Sequence, residues 1–316
     1  MGKAIQMITI GALFTTISNY CMRRSIDEGE SNKAFLVIQL MLVFPVAILL
    51  NPVRTGDYSF SHQMAVFAII TGTIFALMQA SLGKALEYGP AGLTFAVVSS
   101  AAVMPIIIMV SLFGRPFGFN YTIYNGIGSV LLMLGLFWEA KIGINPVKDD
   151  YNAVNWLIFA TLAFILQVSV LVMMQWRALF IQFPFYSDQL YLPFDAESAK
   201  SQWFMPIMFG TAALINLWIF IYTQNDHPNI YEFLYGAFGG ISNSLGSFFM
   251  IMATEIATPL EHAMLFPISS VEVMIMCNAW GQLLYNEQVN WLANACCVLG
   301  VLIGSFHYEI LRRLIE

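Results

Sequence analysis

One carboxylate stands deep in an apolar stretch. Glu272 lies in Ser269-Ser270-Val271-Glu272-Val273-Met274, far from either end of a hydrophobic run over 259–283. A charge near the middle of a bilayer costs at least ~2.5 kcal/mol unless it faces water or a partner. Glu272 is therefore expected to face an interior cavity, as a ligand for a cationic group or as a proton carrier. The alternative is a protonated or hydrogen-bonded structural carboxyl. Glu261 and His262 precede it by two to three helical turns and mark a path to one mouth if they share its face. Gln79 and Asn243 are uncharged amides at depth, suited to a substrate's carboxylate or amide, or to bonds between helices. Glu272, His262, Gln79 and Asn243 are the candidate substrate-binding residues. Lys84 and Glu87, three apart, suit a local ion pair on one helix face.

Enzymatic chemistry finds no support in the spacing. The chain contains no H-E-x-x-H, G-x-S-x-G, P-loop or G-x-G-x-x-G motif. The apolar runs carry no aspartate for an intramembrane protease, and no loop resembles a selectivity filter. The four cysteines, Cys21, Cys277, Cys296 and Cys297, lie in or beside apolar stretches without metal-ligand spacing. The reading is a non-enzyme with no cofactor and no metal. The net charge of −6 forms no basic patch, which excludes nucleic acid as a partner.

The elements that must position these residues are hydrophobic helices. With 59% hydrophobic and only 10% charged residues and a mean hydropathy of +0.72, the chain departs from soluble domains, which carry about 25% charge. It reads as an integral multi-pass protein whose lateral partners are membrane lipids. Continuous apolar runs predict ten spans near 4–22, 35–52, 63–86, 91–113, 121–139, 154–176, 203–222, 231–254, 259–283 and 290–311. Continuity favours helices over barrel strands, which would alternate. Trp138, Trp156, Trp176, Trp203, Trp280 and Trp291 fall near predicted span ends, where such rings anchor. The first run is read as an uncleaved span, since its removal would leave one half a helix short. Gly236 with Gly240, Ser242 with Gly246, and Gly300 with Gly304 are small residues at four-residue spacing. They serve close helix packing or, in the eighth span, a helix that slides beside a cavity. The longest loop is expected at 177–202, mixing aromatics with acids. It is a passive interfacial segment or a cover over one mouth, mobile and dispensable for folding.

The chain also repeats itself. A shift of 169 (259 − 90) pairs Pro90 with Pro259, Ser100 with Ser269, Asn125 with Asn294, Gly135 with Gly304 and Phe137 with Phe306. Just upstream a shift of 168 (240 − 72) pairs Gly72 with Gly240, Ala85 with Ala253 and Glu87 with Glu255. The expected fold is an all-α membrane protein of ten transmembrane helices in two five-helix repeats, 1–150 and 151–316. An odd number of spans per repeat inverts the second copy relative to the first, an arrangement that points to a transporter. The first four helices of each half would line a central cavity, leaving the fifth for packing or for a homodimer. Both termini fall on one side, expected to be cytoplasmic; the lysine and arginine counts, seven against six, do not set orientation.

Ala85-Leu86-Glu87-Tyr88-Gly89-Pro90-Ala91, followed by Pro105 and Gly135, and Tyr285-Asn286-Glu287, leading to Gly300 and Gly304, make this chain resemble the drug/metabolite transporter superfamily, in particular its EamA-like branch. Glu287 matches the glutamate that family places before the last helix of a half. Gly118 stands at the first-half equivalent, and Met274 stands opposite Pro105. The resemblance implies carriage of a small metabolite by alternating access. The expected substrate is an amino acid or amino-acid-like compound, exported or exchanged, with protons or a counter-substrate as possible co-partners. A cationic nucleoside-like metabolite such as S-adenosylmethionine is the alternative, favoured by the acidic pair Glu261 and Glu272. From another class, a non-transporting scaffold or lipid-handling protein is the runner-up. The expected location is a bacterial cell membrane.

Overall fold

In a computed structural model of the chain, the described residues are 2–29, 33–89, 91–113, 122–142, 152–183, 196–223, 228–285 and 289–304, and every regular element among them is helical. Helix α1 spans Lys3–Gly29 and α2 spans Lys33–Ile48, continuing as a π-helical turn over Leu49–Val53. Helix α3 spans His62–Tyr88. Helices α4 (Ala91–Ser100) and α5 (Met104–Leu112) are one rod broken by a 3-10 turn at Ala101–Val103. Pro105 lacks the N–H that an uninterrupted α-helix would use there, and the chain tightens just before it. Helices α6 (Ile123–Ile142), α7 (Ala153–Gln182), α8 (Ala196–Ala199), α9 (Phe204–Thr223), α10 (Ile230–Ile256), α11 (Pro259–Tyr285) and α12 (Trp291–Gly304) complete the order.

Five stretches, Lys33–Val53, His62–Tyr88, Ala153–Gln182, Phe204–Thr223 and Met264–Leu284, are long and apolar enough to cross a membrane, and three shorter apolar helices accompany them. On α7 the outward stripe Val154, Leu157, Ile158, Leu162 and Ile165 is exposed hydrocarbon, while Trp156, Ala160 and Ala163 face in. A helix apolar on all sides belongs in lipid. The protein is a multi-pass membrane protein.

Side chains at the helix starts explain several boundaries. Ser61 accepts the Met64 N–H at 3.2 Å and Asn152 that of Asn155 at 3.1 Å. Asn229 and Glu232 form a reciprocal capping box, and Thr258 with Glu261 repeats the device before α11. Two expected ends are corrected by charge pairing. Helix α1 continues beyond Met22 because Arg23–Asp27 (3.3 Å) and Arg24–Glu28 (3.0 Å) pair one turn apart along it. Helix α7 continues beyond Trp176 because the Arg177 guanidinium is met by Glu255, letting Leu179 and Phe180 bury completely. The first residues of the expected 177–202 loop are thus core helix. Its aromatic centre, 184–195, lies outside the described residues, as do Pro90, Gly118, Glu287 and Phe306.

The helices pack in matched pairs. Helix α1 packs on α10 as α7 packs on α3, and α2 packs on α10 as α9 packs on α3. Helix α1 meets α11 as α7 meets the α4–α5 rod, while α2 packs on α9 and α6 on α12. The contacts made by Gly72 and Gly240, 168 apart (240 − 72), are the same in kind. A Cβ on Gly72 would lie 2.3 Å from the Met208 carbonyl oxygen, and one on Gly240 2.6 Å from that of Gln39. Met208 and Gln39 are themselves 169 apart (208 − 39). Helices α6 and α12 run antiparallel, with Asn125 Nδ2 donating to the Gly304 carbonyl at 2.7 Å and Gly135 seated against Ala293 and Cys297. The glycines of α10 serve packing: Gly236 and Gly240 admit α2, Gly246 admits α1, and Gly239 faces the Phe35 ring of α2 and Cys21 of α1. The largest buried cluster, including Leu40, Phe67, Phe180, Phe204, Met208 and Phe209, lies among α2, α3, α7 and α9.

Candidate functional site

Six helices turn one stripe each toward a common interior cavity of about 160 Å³, and Gln39 of α2 joins them. Helix α1 contributes Thr15, Ser18, Asn19 and Met22; α3 contributes Phe75, Met78, Gln79 and Leu82; and α7 contributes Gln167, Val170, Leu171 and Met174. Phe95, Val98, Ser99 and Ala102 come from the α4–α5 rod, Asn243, Ser247 and Met250 from α10, and Phe266, Ser269, Ser270 and Val273 from α11. These positions recur at i, i+3, i+4 and i+7, which an α-helix places on one face. The fifth helices, α6 and α12, contribute none, and α9 contributes none either. The expected lining by four helices of each half is therefore corrected to three on the second side. Helix α9 is committed to the apolar cluster on α2 and α3.

The wall mixes amides and hydroxyls with apolar side chains and carries no charged group. Gln39 Nε2 donates to Ser18 Oγ at 2.9 Å, tying α2 to α1, and Ser270 Oγ donates to the Ser99 carbonyl at 2.8 Å, tying α11 to α4. Asn19 Nδ2 lies 4.0 Å from Cys277 Sγ. Gln39 Oε1 and Asn243 Nδ2 are buried with no protein partner among the described residues. An amide group in a buried wall carries a desolvation cost unless something answers it, so these two atoms are ready ligands. Around the amides and hydroxyls lie Met22, Met78, Met174, Met250 and three phenylalanines, a soft apolar lining that adapts to shape. The site can hydrogen-bond a small polar head and enclose a modest apolar group.

Of the four candidate residues, Gln79 and Asn243 lie on this wall. Glu272 does not. It is half buried on the neighbouring flank of α11, where Oε1 accepts from Thr9 Oγ1 of α1 at 2.8 Å and Oε2 is buried without a protein partner. The cavity stripe of α11 is Phe266, Ser269, Ser270 and Val273, and Glu272, three residues after Ser269, lies about 60° around the helix from it, on the flank beside that stripe. Where Glu272 was expected to face the cavity, it lies beside the lining residues and is not one of them. His262 is also off the wall. It is buried in the corner of α7, α10 and α11, with Nε2 3.1 Å from Gln182 Oε1 and its carbonyl accepting from Gln175 Nε2 at 3.3 Å. Gln182 Nε2 in turn donates to the carbonyls of Thr254, Glu255 and Ala257, closing the C-terminus of α10. Glu261 is occupied by the cap of α11, where Oε2 accepts from Thr258 N at 2.9 Å and Thr258 Oγ1 at 3.0 Å. Glu261, His262 and Glu272 thus form no path to a mouth. Lys84 and Glu87 pair within α3 as their spacing implies.

Ser18, Asn19, Gln39, Gln167, Ser269 and Ser270 were not singled out from the sequence. Their signal is present: polar residues three and four apart inside apolar runs, as in Thr15, Ser18 and Asn19 of α1.

No family model matches the chain, and no curated protein matches it. Among solved structures, the crystal structure of a protein superposes with a TM-score of 0.67 over 99% of this chain and 98% of its own, at 12% identity. At that identity the likeness shows a shared fold and nothing of function.

Proposed function

We propose that this protein is a secondary transporter that carries a small neutral or zwitterionic metabolite, an amino acid or amino-acid-like compound, by alternating access. The observation that carries the reading is the central wall of amides and hydroxyls, drawn from helices of both halves and free of charged side chains. At about 160 Å³ it is below the ~300–1,000 Å³ of drug-sized pockets, which suits a compact substrate. Two inverted five-helix repeats belong to the same proposal. They are supported by the 169-residue shift, the matched helix pairs and the antiparallel α6–α12 contact. So does membership of the drug/metabolite transporter superfamily, which rests on the motif resemblance, and so does an exporter or exchanger placed in a cell membrane with both termini on the cytoplasmic side.

Nothing favours the cationic nucleoside-like alternative, because its two acids are engaged elsewhere: Glu261 in a helix cap and Glu272 against α1. A scaffold or lipid-handling role leaves the unpartnered amide atoms of Gln39 and Asn243 without a purpose. The test is uptake of labelled amino acids into proteoliposomes by wild type and by the Gln79→Leu, Asn243→Leu double variant. Uptake by wild type, lost in the variant at equal reconstitution, supports the reading. Absence of wild-type uptake across amino acids, with and without a pH gradient and with counter-substrate inside, sinks it.

A further inference from the structure

A second polar pocket, of about 90 Å³, lies where α7, α10, the end of α2 and the start of α9 converge. It follows directly on the central cavity. Met174 of α7 and Met250 of α10 line the cavity, whereas Arg177, three residues on, and Glu255, five residues on, line the pocket. Arg177 is the most deeply buried cation described, at 5% exposure. Its Nη1 donates to Glu255 Oε1, its guanidinium carbon sits 4.6 Å from the Phe204 ring centroid, and its Nε has no partner among the described residues. Arg54 enters from α2, with Nε donating to the Leu50 carbonyl at 2.7 Å and the guanidinium 5.1 Å from the Phe248 ring centroid. The charged groups lining the pocket are thus two guanidiniums and one carboxylate, a surplus of one positive charge.

The repeat sharpens the contrast. Glu255 is the mate of Glu87, which pairs with Lys84 of its own helix and ties nothing together. Glu255 instead crosses from α10 to α7. The pair therefore acts as a strap between two helices that both line the central cavity, and it is held by an arginine with a nitrogen to spare. Guanidinium prefers carboxylate in a planar two-point fork, and here one carboxylate already shows the chemistry that the site accepts.

We propose that this pocket is a vestibular monocarboxylate site, in which the carboxylate of an incoming ligand takes Arg177 from Glu255 and so releases the ionic tie between α7 and α10, leaving the Gln182 amide bonds there. The volume and the single surplus charge fit one carboxylate better than a dianionic phosphate. The inference rests on the reading of the protein as a carrier of zwitterionic metabolites, and it places the first contact with such a substrate at Arg54 and Arg177.

The test uses purified full-length protein in detergent, acetate as the probe, and acetamide and chloride at matched ionic strength as controls. Tryptophan fluorescence and thermal stability are the readouts. Wild type should show a saturable response to acetate and none to acetamide. Arg54→Gln, at an exposed position that spares the fold, should weaken acetate about tenfold, the loss expected when one charge-assisted bond is removed. Glu255→Gln removes the competitor, so its acetate affinity should rise about tenfold, and acetate should restore thermal stability lost by leaving Arg177 unpaired. A Glu255→Gln affinity equal to wild type, an Arg54→Gln affinity equal to wild type, or an equal response to chloride would overturn the carboxylate site. Should Glu255→Gln not fold, the Arg54→Gln and chloride arms still decide. Amino-acid uptake without saturable acetate binding sinks this site alone, whereas saturable acetate binding without uptake sinks the transport reading alone.

Discussion

Adding one methyl group at Gly72 should separate α3 from α9, and the size of the effect follows from the geometry. The new Cβ would stand 2.3 Å from the Met208 carbonyl oxygen and 3.0 Å from Thr211 Cβ. Ordinary contact begins at 3.4 Å, so 1.1 Å (3.4 − 2.3) must be found. The obstacle is backbone, which no rotamer change can clear. At Gly240 the shortfall against the Gln39 carbonyl is 0.8 Å (3.4 − 2.6). Alanine recovers about 1 kcal/mol of helix propensity over glycine, while overpacking of a close-packed seam costs about 1–3 kcal/mol. Gly72→Ala should therefore lose about 2 kcal/mol and Gly240→Ala about 1 kcal/mol or slightly more. The double variant should lose their sum to within about 0.5 kcal/mol, because the two seams share no contacting atoms. Gly210→Ala is the control, since its Cβ would meet only ring atoms of Phe44 at 3.0 Å, and a ring can turn. Scanning fluorimetry in detergent reads all four proteins. Gly72→Ala as stable as wild type, or less damaging than Gly240→Ala, would refute the packing argument.

Glu272→Gln should keep the fold and leave ligand affinity within about twofold, because an amide oxygen can still accept from Thr9 and the residue is off the cavity wall; a larger loss in thermal-shift titration would return it to the binding site. Asn243→Leu should abolish ligand-induced stabilisation with little change in the melting temperature of the free protein, since its Nδ2 has no protein partner to lose. Thr258→Ala should cost about 1 kcal/mol through loss of the cap of α11, read as a lower melting temperature. Trp156→Phe should cost about 1 kcal/mol by leaving Thr94 without the indole donor that now reaches it at 2.9 Å.

The helices and their approximate limits were legible in the sequence because lipid forces each span to be apolar along its length, and hydropathy is a local property. The sequence also sets Gly72 and Gly240 in step at a shift of 168 (240 − 72), and both proved to be close-approach positions. Boundaries failed where charge interrupted hydropathy. Arg23 and Arg177 read as loop, yet each stays helical because a carboxylate answers it, one turn along α1 in the first case and across on α10 in the second. Burial of a charge depends on its partner, and a partner 78 residues away is invisible to any local pattern. The same reason explains the site. Depth along a span pointed to Glu272, but depth does not say which face of the helix meets the cavity; only packing against α1 and α4 set that rotation. Type and depth pointed to Gln79 and Asn243, which line the cavity, and Gln39 became a wall residue when Gly240 let α2 approach α10 closely. Sequence alone determined that the chain is a set of apolar helices suited to a membrane. Tertiary structure decided which polar groups converge, because convergence is a relation between faces of different helices and is encoded in no single one of them.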